Sequence, residues 1–259
     1  MKSGEKMMIQ EYSIYRVHKD RFEYGYNILN SAHTIIGQIY FGRDCDETKD
    51  DTRVWFRIEN KVLYDTDLLR CVLTTLPNLL GLQFCHITSI DLAKDFKKST
   101  THLIDRLFRN KCITTIINGK VIKNRKQQIV GLNTNYGRCL DRLLNPTINL
   151  KQRKARHDKS QGLCIISYNK LVEIEESQKQ YILDFYGNPK RLHRLEVHQN
   201  SSEIKDYCKV RDIEQSVDLI FDKDFLTDMY FYHLGAVLRF RDGRKKLAWS
   251  DLLGCTDRV

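Results

Sequence analysis

The chain has 259 residues, of which 41% are hydrophobic and 29% charged, the balance of an ordinary soluble globular protein. No apolar stretch approaches the roughly 18 residues a spanning helix needs, and the opening "MKSGEKMMIQEY" lacks the apolar core of a secretory signal, so a cytoplasmic location is expected. The net charge of +10 is unevenly placed: between Lys94 and Lys159, 17 Lys and Arg stand against 4 Asp and no Glu, and the remainder sums to −3.

In chain order, the first third alternates as strands do. "HTIIGQIYFG" (33–42) and "TRVWFRIENKVLY" (52–64) are rich in β-branched and aromatic residues. The turn-prone "RDCDETKDD" between them predicts a hairpin with a long exposed loop. At "DTDLLRCVLTTLPNLLGL" the period changes, since Leu68, Leu69, Val72, Leu73 and Leu76 follow helical spacing. Asp65 or Thr66 is available as N-cap, and Pro77 is expected to end or kink the helix. "FCHITSIDLAKDF" (84–96) reads as a strand and "STTHLIDRLFRN" (99–110) as a helix capped by Ser99 or Thr100. "CITTIINGKVI" carries Asn118-Gly119, a strong hairpin signal.

Residues 123–160 are polar and basic and read mainly as a loop, with "QIVGLNTNYG" a possible strand. "GLCIISYNK" (162–170) is a strand, "EIEESQKQYILDFYG" (173–187) a helix and "KRLHRLEVHQ" (190–199) a strand. From about Ser202 onward the pattern reads as helices, followed by a basic "RFRDGRKK". These elements predict an α+β fold: a central antiparallel sheet with helices packed against it, plus C-terminal helices. The expected division is 1–200 and a helical extension over 201–259. Eight cysteines stand singly, no two closer than 14 residues, which excludes a CxxC zinc or redox motif and argues against a disulfide framework.

Three strand segments repeat one pattern. Side chains two apart on a strand share a face, so Asp91 and Asp95 point together. So do Tyr168 and Lys170, and likewise Arg194, Glu196 and His198. If the three strands are neighbours, carboxylates, a phenol and cations converge. Clustered carboxylates repel unless a cation joins them, and oxygen ligands suit Mg²⁺ or Mn²⁺. A tyrosine beside such a metal can attack phosphorus if the metal polarises the phosphoryl oxygen and draws charge from the incoming phenolate. A nearby lysine would stabilise the pentavalent phosphate. Each residue taken alone has a plainer reading: Tyr168 as packing, Asp91 and Asp95 as solvated positions, His198 as a satisfied polar group.

"ITSIDLAKDF", "GLNTNYGR", "IISYNKLVEI" and "HRLEVHQNSSEIKDY" occur in an order and rough spacing that resemble the plasmid rolling-circle initiators of the replication-initiation-factor (Rep_trans) family. The pattern is also similar to filamentous-phage gene II type initiators and to relaxases, which are relatives of the HUH endonucleases. The resemblance spans roughly residues 80–210 and implies a metal-dependent endonuclease and strand transferase, with 1–200 as its nicking domain. Such an enzyme joins a tyrosine to the 5′-phosphate of one strand at an origin. Carried over, Tyr168 matches the nucleophile and Lys170 its adjacent lysine. Asp91, Glu196, Asp95 and Glu173 match the carboxylates, read as ligands of Mg²⁺ or Mn²⁺.

The expected DNA contacts are Arg138, Lys151, Arg153, Lys154, Arg156 and Arg194. Single-stranded or origin DNA, a host helicase and polymerase, and a homodimer are the implied partners. The chain departs from the pattern at Ser89, where the family often carries Arg, and it has no His-hydrophobic-His motif, so a standard HUH metal site is excluded. A relaxase of a mobile element has the same chemistry. A DNA-binding regulator on this fold is the non-catalytic alternative.

Overall fold

The computed structural model describes residues 6–20, 22–43, 53–122, 147–151 and 162–254. The chain divides into two compact units, Met1–Phe84 and Cys85–Val259.

The first unit is a meander of β1 (Lys6–Ile9), β2 (Tyr12–Lys19), β3 (Phe22–Leu29), β4 (Ile35–Arg43) and β5 (Trp55–Ile58), each antiparallel to its chain neighbour. Alternation selects its inner face. Ile14 lies opposite Ile28, and Ile39 opposite both Tyr26 and Phe56. Tyr12, Ile14, Ile28, Ile36 and Ile39 form a core with Val62, Val72 and Leu76. The β4–β5 pairing is the expected hairpin, whose loop at 44–52 lies outside the described residues.

The helix that covers this face starts as α1 (Thr66–Arg70), with Asp65 Oδ1 accepting the Leu68 N–H at 3.0 Å. Pro77 lacks an N–H and its ring crowds the carbonyl four residues back. The helix answers with a wider turn over Cys71–Thr75, resumes as α2 (Leu76–Leu79) and stops two residues beyond the proline.

Among the described residues the second unit carries two antiparallel sheets. In one, β6 (Ser89–Phe96), β11 (His193–Asn200), β10 (Cys164–Asn169) and β9 (Ile148–Lys151) lie in that order. The other contains β7 (Ile113–Ile117), β8 (Lys120–Val121), β12 (Leu238–Asp242) and β13 (Lys245–Leu247), ordered β13-β12-β7-β8. Between β7 and β8, Asn118 and Gly119 both take positive φ, 49° and 78°, as a tight Asn-Gly hairpin turn requires. Its helices among the described residues are α3 (Thr100–Arg109), α4 (Lys170–Ser177), α5 (Gln180–Phe185), α6 (Ser201–Arg211), α7 (Lys223–Val237) and α8 (Trp249–Leu253). Among the described residues no helix is long and apolar enough to cross a membrane.

The α+β class is as the hairpin pattern predicts, but the sheets number three among the described residues, and the C-terminal part is not purely helical. "RFRDGRKK" forms most of β12 and β13. The division also falls at 84/85, not at 200. The reason is burial: Ile204, Tyr207, Met229, Tyr230 and Leu234 of α6 and α7 share one core with Leu92, Ile165, Leu195 and Val197 of the sheet. The Tyr230 hydroxyl donates to the Leu195 carbonyl at 3.1 Å. With its inner face sealed by α7, the β6-β11-β10-β9 sheet has one face left for chemistry.

Candidate active site

The register aligns the three polar patterns. Tyr168 lies opposite Arg194, which lies opposite Asp95, so these residues form one row across β10, β11 and β6. In the next rows Glu196 lies between Ile166 and Ala93, and His198 between Cys164 and Asp91. The alternate residues Leu92, Ile165, Leu195 and Val197 face the core. The polar alternates of β6, β10 and β11 therefore share one face of the sheet, Lys170 excepted.

The strand that carries Tyr168 is fixed from behind. Ser167 is fully buried, and its hydroxyl is 2.7 Å from the Thr100 hydroxyl and 2.9 Å from that of Thr101, in the first turn of α3. Replacing Ser167 with Ala leaves these threonines without that partner. The expected loss of about 1–3 kcal/mol is measurable by urea unfolding, and an unchanged midpoint would show that they are satisfied elsewhere.

The Tyr168 hydroxyl donates to Glu196 Oε2 at 3.3 Å. Burial pushes its pKa well above the ordinary phenol value and the Glu196 charge adds to this, while Arg194 opposes it. Glu196 is itself raised, first by burial and then by the Asp91 carboxylate. Burial thus raises the proton affinity of both groups that share this hydrogen bond.

Lys170 is not on the strand. β10 ends at Asn169, whose side chain accepts the Leu171 N–H and caps α4, so Lys170 opens the helix. It is 2% exposed. Its Nζ pairs with Glu173 Oε2 and lies 5.8 Å from the centre of the Tyr168 ring. Burial lowers its pKa, and Arg194 adds to that. Glu173 also accepts from Lys179 at 3.1 Å. Its carboxyl, which burial would raise, is held below its ordinary value by the two lysines.

The expected four-carboxylate ligand set does not assemble. Asp95 is gripped by Arg194 through two bonds of 2.7 and 2.6 Å and accepts from the Tyr186 hydroxyl at 2.6 Å. Glu173 is committed to its lysines, and His198 Nδ1 is bonded to Asp91 Oδ1. Among the described residues no group of three or more His, Cys, Asp and Glu is placed to hold a metal ion. Asp91 and Glu196 remain as a pair on one face whose charges repel.

Sequence reading did not assign Tyr186, Lys179 or the His198–Asp91 contact. Tyr186 follows α5 as its C-cap, where no strand period marks it. Lys179 reaches Glu173 because Gln178 takes a left-handed φ of 55° and turns the chain after α4, a bend that no spacing rule reveals. Of the expected DNA contacts, Arg194 is in the site and Lys151 ends β9, while Arg138, Arg153, Lys154 and Arg156 lie outside the described residues.

No protein-family model and no curated protein sequence matches the chain. It is similar to a solved structure, the rolling circle replication initiator protein from Geobacillus stearothermophilus, with a TM-score of 0.48 and 12% sequence identity over 93% of this chain and 81% of that one.

Proposed function

We propose that this chain is a replication initiator that nicks and rejoins one DNA strand through a covalent phosphotyrosine at Tyr168. The observation that carries the reading is the row Tyr168–Arg194–Asp95 with Glu196 at the phenol proton. A packing tyrosine has no use for a basic carboxylate at its hydroxyl and an anchored guanidinium beside it. A non-catalytic regulator has no need of this arrangement either.

In the proposed step, Glu196 takes the Tyr168 proton and the phenolate oxygen attacks the phosphorus. The P–O3′ bond breaks, and the 3′ oxygen leaves with the bond's electron pair and is protonated from solvent. Tyr168 is then joined to the 5′-phosphate, and the reverse reaction rejoins the strand. Arg194 is the cation we assign to the phosphoryl charge, a reading supported by its position opposite Tyr168. Lys170, with its Nζ paired to Glu173, acts on Tyr168 through the ring face.

Asp91 and Glu196 are the residues we assign to Mg²⁺ or Mn²⁺, because two carboxylates in neighbouring rows of one sheet face repel and a divalent ion relieves that repulsion. When bound, such an ion supplies charge neutralisation at the phosphate.

The direct test is incubation with origin-like single-stranded DNA and Mn²⁺, followed by a denaturing gel. A protein–DNA adduct is expected, and its absence over a panel of origin sequences would sink the proposal. Asp91→Ala and Glu196→Ala should each abolish metal-dependent nicking while DNA binding remains measurable. Wild-type nicking by both would remove the ligand assignment.

A further inference from the structure

We propose that the β12–β13 hairpin is a second DNA-binding surface, one that docks on duplex DNA and holds its phosphates. The proposal rests on the reading of DNA as substrate, but it concerns a different sheet from the one that carries Tyr168.

The hairpin is two-sided. Leu238 and Phe240 alternate with Arg239 and Arg241 and are 2% and 1% exposed. Phe240 meets Trp249 edge to face at 5.6 Å, and the Trp249 indole N–H donates to the Leu238 carbonyl at 2.8 Å. The base of the ribbon is therefore anchored in the core. At the other end Asp242 pairs with Lys245 across a two-residue turn, where Gly243 takes a φ of 56°. Arg241, Arg244, Lys245 and Lys246 are all exposed. Among the described residues, none of these four is ion paired.

Lysines on an exposed edge strand can serve only to discourage edge pairing. That accounts for Lys245 and Lys246 on β13 but not for Arg241, which lies on the inner strand β12 between Lys246 and Thr114. Exposed Lys111 precedes β7 at the end where Ile113 pairs with Asp242, so it adds charge beside the tip. Five Lys and Arg against one Asp in residues 239–246 complement a polyanion. A two-stranded ribbon fits the major groove of B-form DNA, about 12 Å wide. It does not fit the deep, narrow major groove of an A-form RNA helix.

The test uses the full chain with all of Arg241, Arg244, Lys245 and Lys246 changed to Ala. Binding to a labelled DNA duplex, to an RNA duplex of the same sequence and to a single strand is followed by anisotropy over a salt series. The wild type is expected to prefer the DNA duplex to the RNA duplex. The variant is expected to lose at least about tenfold in duplex DNA affinity and to flatten the salt dependence by a slope of about 3 to 4. Arg241→Lys with Arg244→Lys, which keeps the charge, should retain most of the affinity. Adduct formation on a single strand should be unchanged in the Ala variant, which also shows that it is folded.

Wild-type duplex affinity and slope in the Ala variant, or equal binding of the RNA duplex, would overturn the proposal. If the wild type binds the duplex through the hairpin but forms no adduct with any single strand, the assignment of Tyr168 fails and the hairpin stands.

Discussion

Tyr168→Phe should eliminate both strand cleavage and the covalent adduct, a loss of at least about 1000-fold or about 4 kcal/mol of barrier. The substitution removes one oxygen. The ring, its place in β10 and its contact with the Lys170 cation remain. Among the described residues the hydroxyl's hydrogen bond is the 3.3 Å contact with Glu196, so stability should change by no more than about 1 kcal/mol. Single-strand affinity should stay near the wild-type value. A surviving adduct, or one mapped by peptide mass to Tyr181 or Tyr186, would move the nucleophile elsewhere. Tyr186 is a poor rival, because its hydroxyl is spent on Asp95.

Asp95→Ala carries the largest expected effect on stability. The side chains of Asp95 and Arg194 are 5% and 12% exposed, and the two bonds between them are the fork-to-fork geometry that makes such pairs strong. Removing the carboxylate strands a buried guanidinium, which costs about 3–5 kcal/mol. For a unit of this size the expected fall in melting temperature is roughly 6–20 °C. Adding Arg194→Ala should recover part of the loss, since the charge left without its partner is then gone. The metal readout separates this role from ligation: Mn²⁺ affinity should be unaffected in Asp95→Asn, whose amide oxygen still accepts from Arg194. A tenfold or greater fall in Mn²⁺ affinity in that variant, or a wild-type melting temperature in Asp95→Ala, would return Asp95 to the ligand set.

What could be read from the sequence follows from which rules act locally. Period-two spacing placed Asp91 with Asp95, and Arg194 with Glu196, on one face of each strand, because the pleat dictates it and an apolar core enforces it on the alternate residues. That these faces align with Tyr168 comes from the register. The caps at Asp65 and Ser99 and the Asn118-Gly119 turn are likewise short-range, and each is where its residue type predicts. Lys170 obeyed the same period but not the same structure, since Asn169 turned the strand into a helix one residue earlier. The strands β1 to β3 were not resolved individually because their tight connections carry no proline or clustered glycine. Strands β12 and β13 were hidden because two buried residues in a basic run establish no period. Partner choice was invisible too: nothing in the spacing says that Asp95 meets Arg194 and Tyr186.

The two units also differ in how far apart in the chain their partners lie. Every strand of the first unit pairs with its immediate predecessor or successor, so the farthest closure is the one from Arg43 to Trp55. In the second unit β10 and β11 can join across a connection holding only α4 and α5, but Asp95 and Arg194 are 99 residues apart. The entropy of closing a loop grows with its length, and distant pairings slow folding. The β6–β11 seam should therefore form late, after β10–β11, and the guanidinium finds its carboxylate only then. Tyr168 sits one strand from that seam, so the row completes in the closing stages of folding, and a nascent chain released before β11 is made lacks both Arg194 and Glu196.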